Sequence, residues 1–380
     1  MTEPVPTHSD FNQWAVIRPD AIRHNLKILA ERLPAKTTMA AVIKSDGYGH
    51  GMIRTARAAA DAGVRFLAVI EVWEAEKLRN KGFQQDILMI GPTFPQQAES
   101  VVATGSHIFV GNLEVARALD AAAKKQGTTA KVHLKIDTGM GRFGFLDKAE
   151  SFHAILDVLG KMEHIEIVGA ATHFSEADEP ESPYTEEQSR RFRFCLRMIK
   201  DRGFDLPWIH AANSGALVHF PNAAFSLVRA GIAMYGACPG PQPNPRLKLK
   251  PAMSLMARLI DIRDVPPGSP ISYGRTFTTS RPTRLGLLPI GYGHGYPRHA
   301  SGKARVIIGG KSAPILGRVT MNLICIDLTD CPESKVGDVA LLFGENGKDR
   351  LPVEELAEQA ETISYEILCN VGRSIPILVQ

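Results

Sequence analysis

Lys44 closes the apolar run AAVIK and opens the glycine-rich stretch SDGYGHG. A lysine after a strand is ordinarily a solvated charge. One partly withdrawn from water has a lowered pKa and can form a Schiff base with a carbonyl. Other polar residues recur where apolar runs end: Arg142, His173, Asn213 with Ser214, and Arg229 followed by Gly231 and Ile232. The Arg229 guanidinium and the backbone N–H groups after it make a phosphate cradle of the kind that barrel enzymes build beyond their last strands. A lysine with a phosphate cradle points toward pyridoxal phosphate, though the pair alone does not decide it. The string GYGHG occurs twice, at 47–51 and at 291–295, which raises the question of a repeat.

These residues need elements to hold them. From about residue 38 to 236, short apolar runs alternate with stretches of helical periodicity. TMAAVIK, RFLAVI, DILMIG, HIFVG, AKVHLKID, IEIVGAATH, WIHAAN and FSLVRAGIAMYG read as eight strands. MIRTARAAADAG, LEVARALDAAAKKQG and EEQSRRFRFCLRMIKDRG read as helices between them, with Gly63, Gly127 and Gly203 at their C-terminal ends. This alternation predicts an α/β fold with a (β/α)8 TIM-type barrel. A doubly wound sheet stays open, because alternation does not prove closure.

CPGPQPNPRLKLKP then reads as a linker. Beyond it, SLMARLIDIRDV, ARVIIGGKSAPIL, NLICIDLTD and DVALLFG predict a mostly β C-terminal domain, interrupted by one helix at PVEELAEQA. The expected boundaries are 12–240 for the barrel and 246–380 for the β domain, with residues 1–11 against the latter. The two GYGHG strings therefore fall in different domains with unlike flanks. An internal repeat is excluded.

The chain has 380 residues, 44% of them apolar and 22% charged, with a net charge of +4. That is the make-up of a soluble globular enzyme with no nucleic-acid footprint. Cys195, Cys238, Cys325, Cys331 and Cys369 are scattered, with no C-x-x-C pair. Their spacing speaks against a disulfide framework or a zinc site and for a reducing compartment. No apolar run is long enough for a membrane span, and MTEPVPTHSDFNQW has no signal-peptide pattern. A cytoplasmic location is expected.

AVIKSDGYGHG resembles the cofactor-lysine motif of the alanine racemases, pyridoxal-phosphate enzymes of the type III fold. The likeness continues in order through HLKIDTGMGRFG, ATHF, HAANSGA, LVRAGIAMYG, ISYGRTF, GYGHGYPR, GRVTMN and ISYEILCNVGRS. On these motifs in register, the chain is identified as a member of that family.

The resemblance implies a role for each matching position. Lys44 would hold pyridoxal 5′-phosphate covalently. Tyr48, Ser214, Gly231, Ile232 and Tyr365 would contact its phosphate, and Arg229 would face its pyridine nitrogen. His173 would lie against the ring and link Arg229 to Tyr273. Arg142 and the backbone of Met321 would orient the substrate carboxylate. Lys135 matches a lysine that is often carbamylated in the family and then braces that arginine. Arg298, Arg318, Asp178 and Ile363 match positions lining the substrate access corridor. No metal is implied. The expected reaction interconverts L- and D-alanine, supplying D-alanine for peptidoglycan. The expected assembly is a homodimer in which the β domain of one subunit completes the barrel site of the other.

Racemisation removes the Cα proton from one face and returns it to the other, so it needs two bases; Lys44 and Tyr273 are the expected pair. A phenol is a poor base at neutral pH, so positive charge from the His173–Arg229 pair would have to tune it. An arginine at the pyridine nitrogen keeps that nitrogen unprotonated, which weakens the electron sink and disfavours transamination. Simpler readings stand for some neighbours: Tyr292 and Tyr296 as core or interface residues, His50 and His294 as hydrogen-bonding loop residues, Asp46 as a turn former. The chain departs from the family pattern at His294 and Asn322, where aspartate is commoner, and at Thr320, where cysteine is frequent.

The competing readings are a racemase of broader range, a decarboxylase of the same fold type, and a single-domain pyridoxal-phosphate carrier. A decarboxylase would want an acid where Arg229 stands. A carrier would lack the β domain and Tyr273.

Overall fold

The computed structural model describes residues 11–220, 223–240 and 247–380. Residues 241–246 of the proline-rich linker, and residues 1–10 of the segment expected against the β domain, lie outside the described residues. Phe11 is described, and it packs on a cluster of Trp14, Val16, Met256 and Leu341.

The eight strands are Thr38–Val42, Phe66–Val69, Asp86–Met89, His107–Val110, Ala130–Asp137, Ile165–Ala171, Trp208–His210 and Leu227–Ala230. Their ladders are parallel, and the eighth strand pairs back onto the first from Leu227–Thr38 to Ala230–Ala41. Between the seventh and eighth strands the link is looser. Arg229 N–H donates to Ala212 O at 3.0 Å, and Ile209 N–H donates to Ser226 Oγ at 2.7 Å. The barrel is nearly closed, which removes the doubly wound alternative. Strands buried on both faces read as continuous apolar runs, and Phe66, Leu67, Ala68 and Val69 are all fully buried.

The expected helices are Met52–Asp61, Leu113–Lys125 and Tyr184–Asp201, and Gly63, Gly127 and Gly203 follow them with positive φ. One element escaped the pattern. After the fifth strand the chain loops out and returns as the short strand Phe145–Leu146, parallel to Ile136 and Asp137. Arg142 rides on that loop.

The second domain is a mixed sheet. SLMARLIDIRDV divides into Met253–Arg258 and Asp261–Val265, and ARVIIGGKSAPIL folds at Gly309-Gly310 into the hairpin of Arg305–Ile308 and Lys311–Leu316. Val339–Asn346 joins this hairpin to Met253–Arg258. The expected barrel boundary at residue 12 needs correcting. The strand Gln13–Ile17 runs antiparallel to Met253–Arg258 and parallel to Ile377–Val379, inside the second sheet. Its alternate side chains are buried on two faces, Trp14 and Val16 in one apolar cluster and Ala15 and Ile17 in another, and that sheet pairs both of its edges.

The helix at PVEELAEQA is present as Val353–Gln359, and a second helix, Ser364–Val371, carries Tyr365 and Cys369. This helix sets backbone against backbone on the first GYGHG loop. A β-carbon on Gly372 would lie 2.0 Å from Gly49 O, and one on Gly49 would lie 2.3 Å from Leu368 O. Gly372 has an ordinary φ of −62°, so close approach alone requires glycine there. Gly372→Ala is therefore expected to lower the unfolding free energy by about 1–3 kcal/mol. Gly127→Ala, whose β-carbon meets nothing within 4 Å, should cost less, about 1 kcal/mol, for its left-handed φ alone. Urea unfolding of both variants checks this, and an equal or smaller loss at Gly372 would refute the contact.

Candidate active site

The first barrel strand delivers Lys44 into an unusual turn. Ser45, Asp46, Gly47 and Tyr48 all have left-handed backbones, with φ of +54°, +53°, +62° and +53°. Left-handed backbone costs a non-glycine residue roughly 1–2 kcal/mol, so the turn must be held. Gly47 N–H donates to Ile43 O and Gly51 N–H to Asp46 O, both at 2.8 Å. Met52 N–H donates to Asp46 Oδ1 at 2.8 Å, and Ser45 N–H donates to Glu74 Oε1 at 2.9 Å. His50 is buried beneath, its Nδ1 at 3.0 Å from both Gly47 O and Tyr48 O. Asp46 and His50 thus shape the loop. Burial lowers the Lys44 amine, Arg142 adds to this, and Glu74 and Cys369 oppose it.

Lys44 lines a cavity of about 550 Å³ with Tyr48, Lys135, Arg142, His173, Ser214, Arg229, Gly231, Ile232 and Tyr365. Arg229 is its buried pole. Nη2 donates to Thr172 O and Ala211 O, both at 2.9 Å, and lies 3.2 Å from His173 Nδ1; Nη1 lies 2.9 Å from His210 Nδ1. Burial, with Arg142, brings this guanidinium down to about 9, still charged at neutral pH. A guanidinium cannot accept hydrogen bonds. His210 and His173 must therefore offer Nδ1 as acceptor and carry their proton on Nε2. The same logic runs inward: His210 Nε2 meets His133 Nδ1 at 2.8 Å, and His133 Nε2 meets His107 Nδ1 at 2.9 Å.

Arg142 is carried by a loop that Asp137 organises. Asp137 Oδ1 accepts from Gly139 N–H at 2.9 Å and Gly141 N–H at 3.1 Å, while Oδ2 accepts from Arg142 N–H at 3.1 Å. Burial alone would raise this carboxyl, but the three N–H donors and Lys135 hold it below its usual range. Tyr184 Oη donates to Gly139 O at 3.2 Å, and Arg191 pairs with Asp147 on the returning limb. Lys135 Nζ donates to Ile136 O at 3.0 Å and Phe143 O at 3.2 Å. Burial brings its amine down to about 8, with Asp137 opposing and Arg229 and Arg142 adding.

Comparison with known proteins identifies the family. Residues 17–239 match the model "Alanine racemase, N-terminal domain" and residues 252–379 match "Alanine racemase, C-terminal domain". The chain belongs to the alanine racemase family. Among curated members it is 38% identical to the alanine racemase of Syntrophobacter fumaroxidans over 363 residues, 96% of each chain. It is 39% identical to that of Desulforamulus reducens, covering 96% of this chain and 97% of the relative. The solved alanine racemase from Streptomyces coelicolor A3(2) superposes with a TM-score of 0.91 at 35% identity, covering 97% of this chain and 98% of that one. The biosynthetic alanine racemase of Pseudomonas aeruginosa gives 0.89 at 32% identity, with coverage of 97% and 99%. Alanine racemases are isomerases.

The residues present fit the pyridoxal phosphate that this family implies. Tyr48, Ser214, Gly231, Ile232 and Tyr365 surround one end of the cavity, and a β-carbon on Gly231 would intrude to 3.0 Å from Tyr48 Oη. Arg229 Nε has no acceptor among the described residues, which leaves a donor for a ring nitrogen.

Not every expected site residue reaches the cavity. Tyr273 is 73% exposed and Met321 55% exposed, both on the second domain. Arg318 lies over Gly274, the residue after Tyr273. Asp178 and Ile363 line an adjoining hollow that shares His173 and Tyr365 with the cavity, and Arg298 borders a separate surface pocket. The second GYGHG string props the Met321 turn: Tyr292 N–H donates to Thr320 O at 3.0 Å and Gly293 N–H to Met321 O at 2.8 Å. Two of the three departures from the family pattern face each other there, with His294 Nε2 at 3.5 Å from Asn322 Nδ2.

Sequence reasoning missed Glu74, Asp137, His107, His133 and His210. The one available signal was period two: Lys131, His133 and Lys135 share a face of their strand, and the last two are buried.

Burial holds His50 and His107 down at about 4, and holds His133, His173 and His210 well below the ordinary imidazole value. In the unfolded chain these rings take up protons near pH ~6.5. The unfolded state thus binds more protons as pH drops, and stability falls from about pH 6.5 toward the folded values. Urea midpoints should accordingly decrease between pH 7.5 and pH 5, and less steeply for His107→Gln. A midpoint constant across that window would contradict the neutral histidine chain.

Proposed function

We propose that the chain racemises alanine with pyridoxal phosphate held on Lys44, and that Lys44 and Tyr273 of the partner subunit are the two bases. The observation that carries this reading is the convergence of Lys44, Arg142, His173 and Arg229 on one cavity at the C-terminal ends of the barrel strands. Bound there, pyridoxal phosphate supplies an electron sink for the charge left when Cα loses its proton.

The protein's own groups would do the rest. Tyr48, Ser214, Tyr365 and the backbone N–H groups of Gly231 and Ile232 would hold the phosphate. Arg229 can only donate, so a ring nitrogen set against it stays unprotonated, which tempers the sink and disfavours transamination. Arg142 and the backbone of Met321 of the partner subunit would orient the substrate carboxylate. Lys135, its amine brought down to about 8, is suited to carbamylation and would then brace Arg142. Lys44, its amine lowered by burial, can take a proton from one face of Cα. Tyr273 would serve the other face, its phenolate steadied by the Nε2–H that Arg229 forces onto His173. Asp178, Ile363, Arg298 and Arg318 would line the access corridor. The D-alanine formed would feed peptidoglycan, and the enzyme would act in the cytoplasm as a homodimer.

The central test is chemical. The purified protein with pyridoxal phosphate should racemise alanine, and borohydride reduction followed by peptide mapping should find the label on Lys44. A label on another lysine would overturn the assignment.

The shared site is supported by the exposure of Tyr273 and Met321, together with that of Tyr292 and Leu323. Lys44→Ala and Tyr273→Phe proteins should each be nearly inactive. After subunit exchange about half the dimers should be mixed, each with one intact site, so activity should return to roughly a quarter of the parent value. No recovery, with exchange verified by native mass spectrometry, would mean both residues serve the same subunit.

A further inference from the structure

We propose that Glu74 is a positioning residue for Lys44: its buried carboxylate ties the left-handed turn that aims the lysine to the second barrel loop, and sets a negative charge against Arg142 at the amine. This rests on the reading of Lys44 as the cofactor lysine. Glu74 is the third residue of the helix Val72–Asn80, which follows the second barrel strand, and it is 1% exposed. A carboxylate is rarely buried so completely without a cationic partner, and no lysine, arginine or histidine pairs with it among the described residues. It gathers backbone N–H groups instead. Oε2 accepts from Ile70 at 2.9 Å and Glu71 at 3.1 Å, while Oε1 accepts from Ser45 at 2.9 Å.

The bond from Glu71, the N-cap residue, is what a glutamate at the third helical position does for its own helix, and the bond from Ile70 lies one residue before it. The third bond leaves the helix, and capping does not account for it. It grips the first of the four left-handed residues, directly after Lys44. Without a partner there, the Ser45 N–H would be stranded and the turn would lose the restraint nearest the lysine. The titratable groups facing Lys44 come from four elements: Arg142 on the fifth-strand loop, neutral His173 after the sixth strand, Cys369 on the last helix, and Glu74. Arg142 disfavours the protonated amine. Glu74 is the carboxylate that opposes it.

The test uses the full chain, freed of cofactor by hydroxylamine. Glu74→Gln keeps the shape, removes the charge and turns an amide donor toward one of the three N–H groups. The pH at which Lys44 becomes reactive to trinitrobenzenesulfonate, read by peptide mapping, should then move lower, because Arg142 acts unopposed. Pyridoxal phosphate, titrated by fluorescence quenching, should bind about tenfold more weakly, as expected when a buried donor loses its acceptor. Glu74→Asp keeps the charge on a shorter stem. Its Lys44 profile should stay near the parent's while cofactor affinity falls, and it carries the test alone if Glu74→Gln does not fold. An unmoved Lys44 profile in folded Glu74→Gln overturns the proposal, as does unmoved cofactor affinity in Glu74→Asp if only that variant folds. Borohydride labelling of a different lysine would defeat the cofactor reading while leaving this coupling, measured without cofactor, intact.

Discussion

A guanidinium donates hydrogen bonds and accepts none, and the interior of this barrel is arranged around that asymmetry at Arg229. The residue is buried, and its partners are two backbone carbonyls and two imidazoles, with no carboxylate paired to it among the described residues. A buried cation with so little compensation is costly. In return it is directional. Every ring that touches it must present a lone pair, so the protons of His210 and His173 sit on their far sides. One line of protons runs inward through His133 to His107; the other ends at the wall of the cavity. The neutral, oriented histidines follow from a residue that cannot accept.

The chain bends against its preferred handedness at both of its proposed bases. Lys44 leads into four left-handed residues, and Tyr273 sits between Ser272 at φ +64° and Gly274 at +71°, with Arg275 at +48°. Strain of this kind persists only where surroundings over-determine it. Around Lys44 the restraints are internal: Asp46, His50 and Glu74 each take a backbone partner in the loop, and the last helix presses Gly372 onto Gly49. Around Tyr273 they are fewer. Ser272 Oγ donates to Arg318 O at 2.7 Å, and the Arg318 guanidinium covers Gly274. A phenol held rigidly but left exposed suits a site completed by a second copy of the chain, as proposed above.

The β domain is more than a platform for that tyrosine. Its sheet recruits Gln13–Ile17 from the far end of the chain, and its last helix contributes Tyr365 and Cys369 to the barrel cavity. The two domains therefore share the wall of one site within a single subunit. Loosening the Gly49–Gly372 contact would disturb the lysine loop and the phosphate cradle together.

Period and local chemistry determined much of this. Short apolar runs marked all eight barrel strands, and helical periodicity ending in glycine marked three of the helices between them, Met52–Asp61, Leu113–Lys125 and Tyr184–Asp201. A polar residue at the end of such a run is at the mouth of a barrel wherever the barrel closes, which is why Lys44, Arg142, His173, Ser214 and Arg229 were legible. Tyr365, Tyr273 and Met321 were reachable only through the resemblance of their motifs to a known family. Tertiary structure alone decided the rest. Glu74 in EVWEAEKLR reads as a solvated helix face; that its carboxylate also takes the N–H of Ser45, 29 positions away, depends on loops brought together by folding. The pairing of residues 13–17 with 253–257 spans some 240 positions that no local rule connects. Burial, partner and proton position are properties of contacts between distant segments, and a sequence states them only once the fold has chosen which segments meet.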